Sequence, residues 1–361
     1  MCLTLDELDD APHPDLSVIV PTYRRLELLT RTLGSLLSQH APGVQYEVLV
    51  VDNNSGDDTR GAVEAIACEH RNVRYLFEPR QGVSHARNAG IGAARAPLIA
   101  FIDDDVEASE TWVAAIRTAF ESHPEIDCLG GPIRPRWAAP LPAWLTPMFW
   151  AAVALQSDKG DPPYIDANHA TPCLMTANFA CRREALQQVG GFATTYRRDE
   201  DRELQLRLWA AGKRGLFVRD VVVTTEVPRD RLTKAYHRRF YTRVGASHAR
   251  MRYLESVDAA GRLIRDAPKR ASVQGTAPFV YRYLFGHMAR LLWNTLTLRW
   301  HRAFYDETRL RYYLSYVRTR RRDERRSWLA LPGELLTLIM ALLQRPIRRQ
   351  LAARVRRRQA A

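Results

Sequence analysis

Two acidic clusters and two strand ends hold the residues with chemistry to offer. An apolar run from Pro97 to Ile102 leads directly into Asp103, Asp104 and Asp105. Three adjacent carboxylates repel one another, so a divalent cation or a cationic partner accounts for them better than folding does. A solvated acidic turn is the plain alternative. Mg²⁺ and Mn²⁺ take hard oxygen ligands, usually one or two carboxylates plus phosphate oxygens of a substrate. In an open α/β sheet, ligands bind at the carboxyl ends of strands. The second cluster is Arg198-Asp199-Glu200-Asp201-Arg202-Glu203. Acids in a first turn suit the helix dipole, but four among six residues exceed what capping asks. The strand ends are Pro21-Thr22-Tyr23 and Val51-Asp52-Asn53. A carboxylate there can accept hydrogen bonds from a ribose or a base N–H, although for Asp52 alone an ordinary N-cap serves as well.

The elements that must position these groups alternate. Leu16–Val20 reads as a strand, and Leu26–Gln39 has apolar residues at helical spacing. Strands over Tyr46–Val51, Val73–Phe77 and Pro97–Ile102 alternate with helices over Ala62–Cys68, Gly82–Arg95 and Glu110–Phe120. Gly90 and Gly92 weaken the helix that holds them. This alternation predicts βαβ units and a mostly parallel, Rossmann-like sheet with flanking helices. Right-handed crossovers then set Pro21, Asp52 and Asp103 along one edge. Residues 138–163, rich in Pro, Trp and Ala, break the pattern and read as a long loop or hairpin. Its apolar stretch from Trp144 to Trp150 is a candidate wall of an acceptor site. A strand over Cys173–Cys181, a helix over Glu184–Val189, a helix over Glu200–Ala210 and a strand over Phe217–Val223 follow. From Arg231 the chain reads as almost wholly helical.

The 361 residues suffice for one large domain plus an appendage. The formal charge is +13, and the only lysines are Lys159, Lys213, Lys234 and Lys269. Acidic clusters gather in the first 130 residues, and Arg runs such as 318–322 and 354–358 lie in the last third. That asymmetry points to an anionic surface, nucleic acid or acidic lipid. Five scattered cysteines argue for a reducing compartment and against a disulfide framework. The acidic N-terminus has no apolar core of a secretory signal.

Taken in order, the segments resemble family 2 glycosyltransferases, nucleotide-sugar enzymes of the GT-A fold. Ser17–Arg25 (SVIVPTYRR) is similar to the family's opening strand and Tyr46–Ser55 (YEVLVVDNNS) to its second. Gly82–Ile91 (GVSHARNAGI) resembles the helix before the metal site, and Phe101–Asp105 the DxD motif. Thr176–Leu186, followed by Val189-Gly190-Gly191-Phe192, resembles the acceptor-side block, which contains Asn178. Glu200-Asp201 resembles the ED motif. The likeness spans about residues 16–212.

The resemblance implies a catalytic domain over 14–230. Its nucleotide-binding half is 14–135 and its acceptor half 136–230, with a helical, basic region over 231–361. It further implies transfer of one sugar from a nucleotide diphosphate, a UDP-sugar first, to a hydroxyl with inversion. Mn²⁺ or Mg²⁺ would sit on Asp105, with Asp103 and Asp104 reaching it through water or binding the ribose. Asp52 and the Pro21-Thr22-Tyr23 backbone would hold base and ribose. Arg80 or Arg87 would pair with uracil or phosphate, or serve structure alone. Asp201 would act as general base, with Glu200 next in line. Two departures stand out. Related sequences often carry His before the Val-Pro matching Val227-Pro228, where this chain has Glu226, which cannot donate to phosphate when ionised. His237 nearby reads as a surface residue. The QxxRW motif of processive synthases is missing, which favours single addition.

In the last third, Pro278–Trp300 places Val280, Leu284, Met288, Leu291, Leu292, Thr295 and Leu298 on one side. That stripe suits either a membrane interface or packing on the catalytic domain. Ser327–Leu343, flanked by Arg runs, is a second lipid-facing candidate. A peripheral enzyme on the cytoplasmic face of the cell membrane, using a lipid-linked or membrane-proximal glycan acceptor, is the expectation. Of the rivals, a nucleotidyltransferase lacks a Gly-rich loop after the first strand. A nucleic-acid binder lacks a recognisable module. A catalytically inactive membrane scaffold of the same fold stays open.

Overall fold

A computed structural model describes residues 13–156, 164–170, 173–196, 198–258, 261–264, 272–325 and 333. The chain divides into two units. The first takes Met1–Thr233 and Ala259–Leu263, the second Lys234–Asp258 and Ile264–Ala361.

The first unit opens with β1 (Leu16–Thr22), α1 (Leu26–Leu37), β2 (Tyr46–Asp52), α2 (Thr59–Glu69), β3 (Val73–Phe77), α3 (Val83–Ala93) and β4 (Leu98–Phe101). It continues through β5 (Val106–Ala108), α4 (Trp112–Ser122), β6 (Cys128–Gly130), β7 (Ile133–Trp137), β8 (Tyr164–Ile165) and β9 (Phe179–Arg182). It closes with α5 (Arg183–Val189), α6 (Glu200–Ala210), β10 (Gly215–Phe217) and β11 (Val223–Val227). An eight-stranded sheet runs β3-β2-β1-β4-β9-β6-β10-β8, and a small sheet runs β5-β11-β7. Strands β3, β2, β1 and β4 are parallel, β9 is antiparallel to both its neighbours, and β8 is an antiparallel edge. Every residue of β1 is buried, as an apolar strand covered on both faces requires. Helix α1 buries Leu29, Thr32, Leu33 and Leu36, the face its spacing dictates.

Helix α3 shows why glycine stands where propensity disfavours it. A Cβ on Gly90 would lie 2.6 Å from Ile19 Cγ2, so only glycine lets α3 rest this closely on β1. Three readings from sequence need correction. The strand expected over Cys173–Cys181 shrinks to β9, preceded by a 3₁₀ turn at Thr176–Asn178. The one expected over Phe217–Val223 divides into β10 and β11, because Val218–Val222 forms the turn between the two sheets. Strands β5, β6 and β7 were not anticipated, since runs of three to five residues carry almost no periodicity. The stretch 138–163 holds a 3₁₀ segment, Pro147–Val153, and residues 157–163 lie outside the described residues.

The second unit is helical, with α7 (Lys234–Arg250), α8 (Tyr253–Ser256), α9 (Pro278–Leu296) and α10 (Trp300–Asp323). Helix α10 packs on α7 and on α9. Its core is aromatic, built on Tyr241, Phe304, Tyr312, Tyr313 and Tyr316. His237, expected at the surface, is fully buried in α7. Apart from Gly333, Ser327–Leu343 lies outside the described residues.

Candidate active site

The carboxyl ends of β1, β2 and β4 form one edge. Thr22 stands in register with Asp52, and Ile19 with Phe101. Beyond β2, Asp52 Oδ1 accepts the Ser55 backbone N–H at 2.9 Å and Oδ2 accepts the Tyr75 hydroxyl at 2.9 Å. Asp52 therefore fixes the loop after β2 while sitting at the strand end. Asn53 ties that loop to the next. Its Nδ2 donates to the Arg80 carbonyl at 2.6 Å, and its Oδ1 accepts the Gly82 N–H at 2.7 Å. Tyr23 is exposed, with the Arg24 guanidinium 5.1 Å from its ring centre. Arg24 holds a positive φ of 54° and bonds Ser55. Arg80 reaches back to Glu78 with two nitrogens and is otherwise open to solvent.

Past β4 the three aspartates take different surroundings. Asp104 is buried. It accepts from Thr22 Oγ1 at 2.9 Å and from Arg25 Nη1 at 3.1 Å. Burial pushes its carboxyl up to about 6, against the pull of Arg25 and Thr22. Asp105 meets the same Arg25 nitrogen at 3.1 Å and Arg231 Nη2 at 3.8 Å. Burial, then Asp103, raises its carboxyl as well. Asp103 is half-exposed and accepts from Arg87 Nη2 at 2.9 Å.

Arg87 is the hub. It is buried in α3, and its Nη1 donates to Glu200 Oε1 at 2.7 Å while its Nη2 holds Asp103. Its guanidinium lies 5.4 Å from the Phe192 ring centre. The next residue, Asn88, binds the Phe192 backbone with both amide atoms at 2.8 Å. Gly191, at φ +67°, fits because a Cβ there would come within 2.7 Å of Asn88 Oδ1. One turn of α3 thus grips the aspartate loop, the Gly190-Gly191-Phe192 stop and the head of α6.

At that head Asp201 is half-buried, with Oδ1 accepting its neighbour's backbone N–H at 2.7 Å. Burial first, then the charges of Glu200 and Asp199, push its carboxyl up to about 7. A proton acceptor poised near neutrality is what base catalysis asks for. Glu200 is already committed to Arg87.

Other expected residues fall elsewhere. Asn178 has no exposed surface. It accepts from Trp112 Nε1 at 2.8 Å and donates to the Val221 and Pro132 carbonyls at 2.7 and 3.2 Å. It pins the two sheets together and presents nothing to an acceptor. Trp144 is half-buried, edge-on to Phe149 at 5.6 Å. Glu226 accepts from Arg31 at 3.3 Å, beside Glu107 and Arg136. It thus joins a surface ion cluster. Arg136 and Arg31 hold the Glu107 carboxyl down at about 2. Arg25, Arg231 and Asn88 were given no role by the sequence. The Arg24-Arg25 pair at a strand end was a visible signal, whereas nothing in the chain links Arg231 to Asp105.

Among the described residues no group of three or more His, Cys, Asp or Glu is arranged to hold a metal alone. The aspartate loop nevertheless fits a hard divalent ion. Its donors are all carboxylate oxygens, and one or two of these plus phosphate oxygens complete the usual shell.

Fold and site together define an α/β domain with acidic groups gathered at the carboxyl edge of its sheet. Residues 17–190 match the family described as glycosyl transferase family 2. It is 42% identical over 108 residues to validoxylamine A glucosyltransferase of Streptomyces hygroscopicus, covering 29% of this chain and 25% of the relative. It is 27% identical over 244 residues to the succinoglycan biosynthesis protein ExoM of Rhizobium meliloti, covering 66% and 75%. Among solved structures, the mannosyltransferase PcManGT from Pyrobaculum calidifontis, in complex with GDP-Man and Mn²⁺, superposes with a TM-score of 0.58 at 21% identity. That superposition covers 86% of this chain and 88% of the other, a likeness of fold. The chain spans about a quarter of the length of the first curated relatives it matches.

Proposed function

We propose that this protein transfers a sugar from a nucleotide-diphosphate-sugar to an acceptor hydroxyl. The observation that carries the reading is Arg87 binding Asp103 and Glu200 at once, which joins the aspartate loop to the helix bearing Asp201. Asp105, helped by Asp103, would hold Mn²⁺ or Mg²⁺. When bound, that ion neutralises the nucleoside diphosphate as it leaves. Pro21, Thr22, Tyr23 and Asp52 border the base and ribose position, and Arg25 and Arg231 add positive charge at its phosphate end. Asp201 takes the acceptor's hydroxyl proton as that oxygen bonds to the anomeric carbon. The bond from that carbon to the β-phosphate oxygen breaks on the opposite side, so configuration inverts and the electron pair leaves with the diphosphate. We place a UDP-sugar first, with GDP-sugars next because the PcManGT structure holds GDP-Man. A glycan acceptor, lipid-linked or close to a membrane and extended by one sugar, agrees with a relative named for succinoglycan biosynthesis.

The test is nucleoside diphosphate release from UDP-, GDP- and dTDP-sugars with Mn²⁺, Mg²⁺ or EDTA, using membrane extract as acceptor source. Turnover of one donor that EDTA, Asp105→Ala and Asp201→Asn each abolish supports the proposal. Donor binding without turnover supports the inactive scaffold, and no binding across the panel overturns the reading.

A further inference from the structure

Helix α9 is turned inside out. Its inner side carries His287 and Asn294 beside Val280 and Leu284, all buried, so the stripe read from sequence as one side is divided: Val280 and Leu284 face in, while Met288, Leu292 and Leu298 are exposed. Its outer side carries Phe285, Met288, Leu292, Trp293 and Leu296, all between 49 and 73% exposed. At 3.6 residues per turn these five fall within an arc of about 140°, opposite the buried side. Leu298 and Trp300 extend the apolar surface into the start of α10. Seven of the eleven large apolar side chains exposed among the described residues lie in this one stretch. A monomer ordinarily leaves such residues scattered.

The rotation of the helix is pinned from within. Asp306 on α10, itself buried, meets His287 Nδ1 at 2.7 Å, Asn294 Nδ2 at 2.9 Å and Arg290 Nε at 3.2 Å. Rolling α9 to bury its leucines would strip a buried carboxylate of these donors, a loss folding does not tolerate. The apolar side therefore faces outward by construction.

The charges around it name the occupant. From Pro278 to Tyr305 the chain holds no carboxylate, while Arg282, Arg299 and Arg302 are exposed. A protein partner would have to bring acids to every side of an apolar groove, whereas an anionic bilayer offers acyl chains ringed by phosphates. Trp rings and arginines at the margin of an apolar helix face match the headgroup level. Among the described residues no helix is long and apolar enough to cross a membrane, and the polar inner side of α9 agrees with a helix lying in the surface plane.

We propose that the outer face of α9, with Leu298 and Trp300, lies in the headgroup–acyl boundary of an anionic membrane, with Arg282, Arg299 and Arg302 against lipid phosphates. This stands apart from the glycosyltransferase reading, because membrane binding is measured without donor or acceptor.

The test is sedimentation of the full chain with vesicles of phosphatidylcholine alone or with phosphatidylglycerol. Wild type should bind the phosphatidylglycerol vesicles. The double substitution Leu292→Glu/Leu296→Glu should lower binding about tenfold or more, with an unchanged circular dichroism melt. Arg299→Gln/Arg302→Gln should weaken binding to the anionic vesicles alone. Brominated lipid should quench the fluorescence of wild type more than that of Trp293→Phe/Trp300→Phe, which decides the matter should the glutamate variant fail to fold. Three outcomes overturn the proposal. One is no binding by wild type. Another is equal binding by folded Leu292→Glu/Leu296→Glu, which would assign binding to another segment such as residues 326–361. The third is a wild-type dimer that ignores vesicles and that the glutamates split, which would make a second copy the occupant.

Discussion

Asp201 and Arg87 divide the work at the residue scale. In the proposed reaction Asp201 would carry the proton, while Arg87 would do no chemistry itself and sets where Asp103 and Glu200 stand. Burial raises the Asp201 carboxyl from an ordinary value near 3.8 to about 7. A base works ionised, so turnover should rise with pH through about 7 and level off above. Asp201→Asn should remove that limb and lower kcat by roughly 10²–10⁴, read from a pH–rate profile. The same carboxyl bears on stability. An acid whose folded pKa is raised holds its proton more tightly folded than unfolded. Stability therefore falls as pH rises from about 4 to about 7, and the deficit persists above. Asp201→Asn should accordingly be more stable than wild type at pH 8 by about 1–2 kcal/mol, after allowing for solvent screening, and equal to it near pH 4. Arg87→Ala leaves Asp103 and Glu200 without their shared cation, so urea denaturation should register a loss of about 3 kcal/mol. Arg87→Lys restores the charge but cannot span both carboxylates. It should recover stability in part and depress kcat more than it raises the donor KM.

Helix α3 is the decisive element. Its two glycines look alike in the sequence and differ in the fold. Gly90 lies under Ile19, while a Cβ on Gly92 meets nothing within 4 Å. Gly90→Ala should destabilise by about 1–3 kcal/mol through overpacking. Gly92→Ala should stabilise by about 0.5–1 kcal/mol through helix propensity. Opposite shifts in the urea midpoint would confirm that the closeness of α3 to β1 selects the glycine. Asn178 teaches the same point. Its place in a family-like block suggested an acceptor contact, but its amide joins Trp112, Pro132 and Val221 across two sheets. A polar residue that neither spacing nor type marks as structural becomes so through burial.

Charge asymmetry acts at the scale of the whole molecule. The chain carries +13, while Asp103, Asp104, Asp105, Glu200 and Asp201 stand as local acidic clusters. The exposed arginines of α9 and its C-terminal flank would make the proposed membrane affinity partly electrostatic. Raising ionic strength from about 0.05 M to about 0.5 M should weaken binding to phosphatidylglycerol vesicles, leaving the contribution of the leucines and tryptophans. Sedimentation across that range separates the two.

Much of this was legible in the chain. Strands β1 to β3 and helix α1 announce themselves by local periodicity. The aspartate triplet, Asp52 and the Glu200-Asp201 pair follow from residue type at a strand end or helix start. Their order was enough to suggest the family and its α/β fold. What the tertiary structure alone decided is who meets whom. Arg25 and Arg231 converge on Asp105, Arg87 ties Asp103 to Glu200, Glu226 turns to Arg31, and Asp306 rolls α9 so that its leucines face out. The physical reason is common to all four. A charge finds its partner across a long stretch of chain, according to which groups burial strips of water, and no periodicity in the sequence records that.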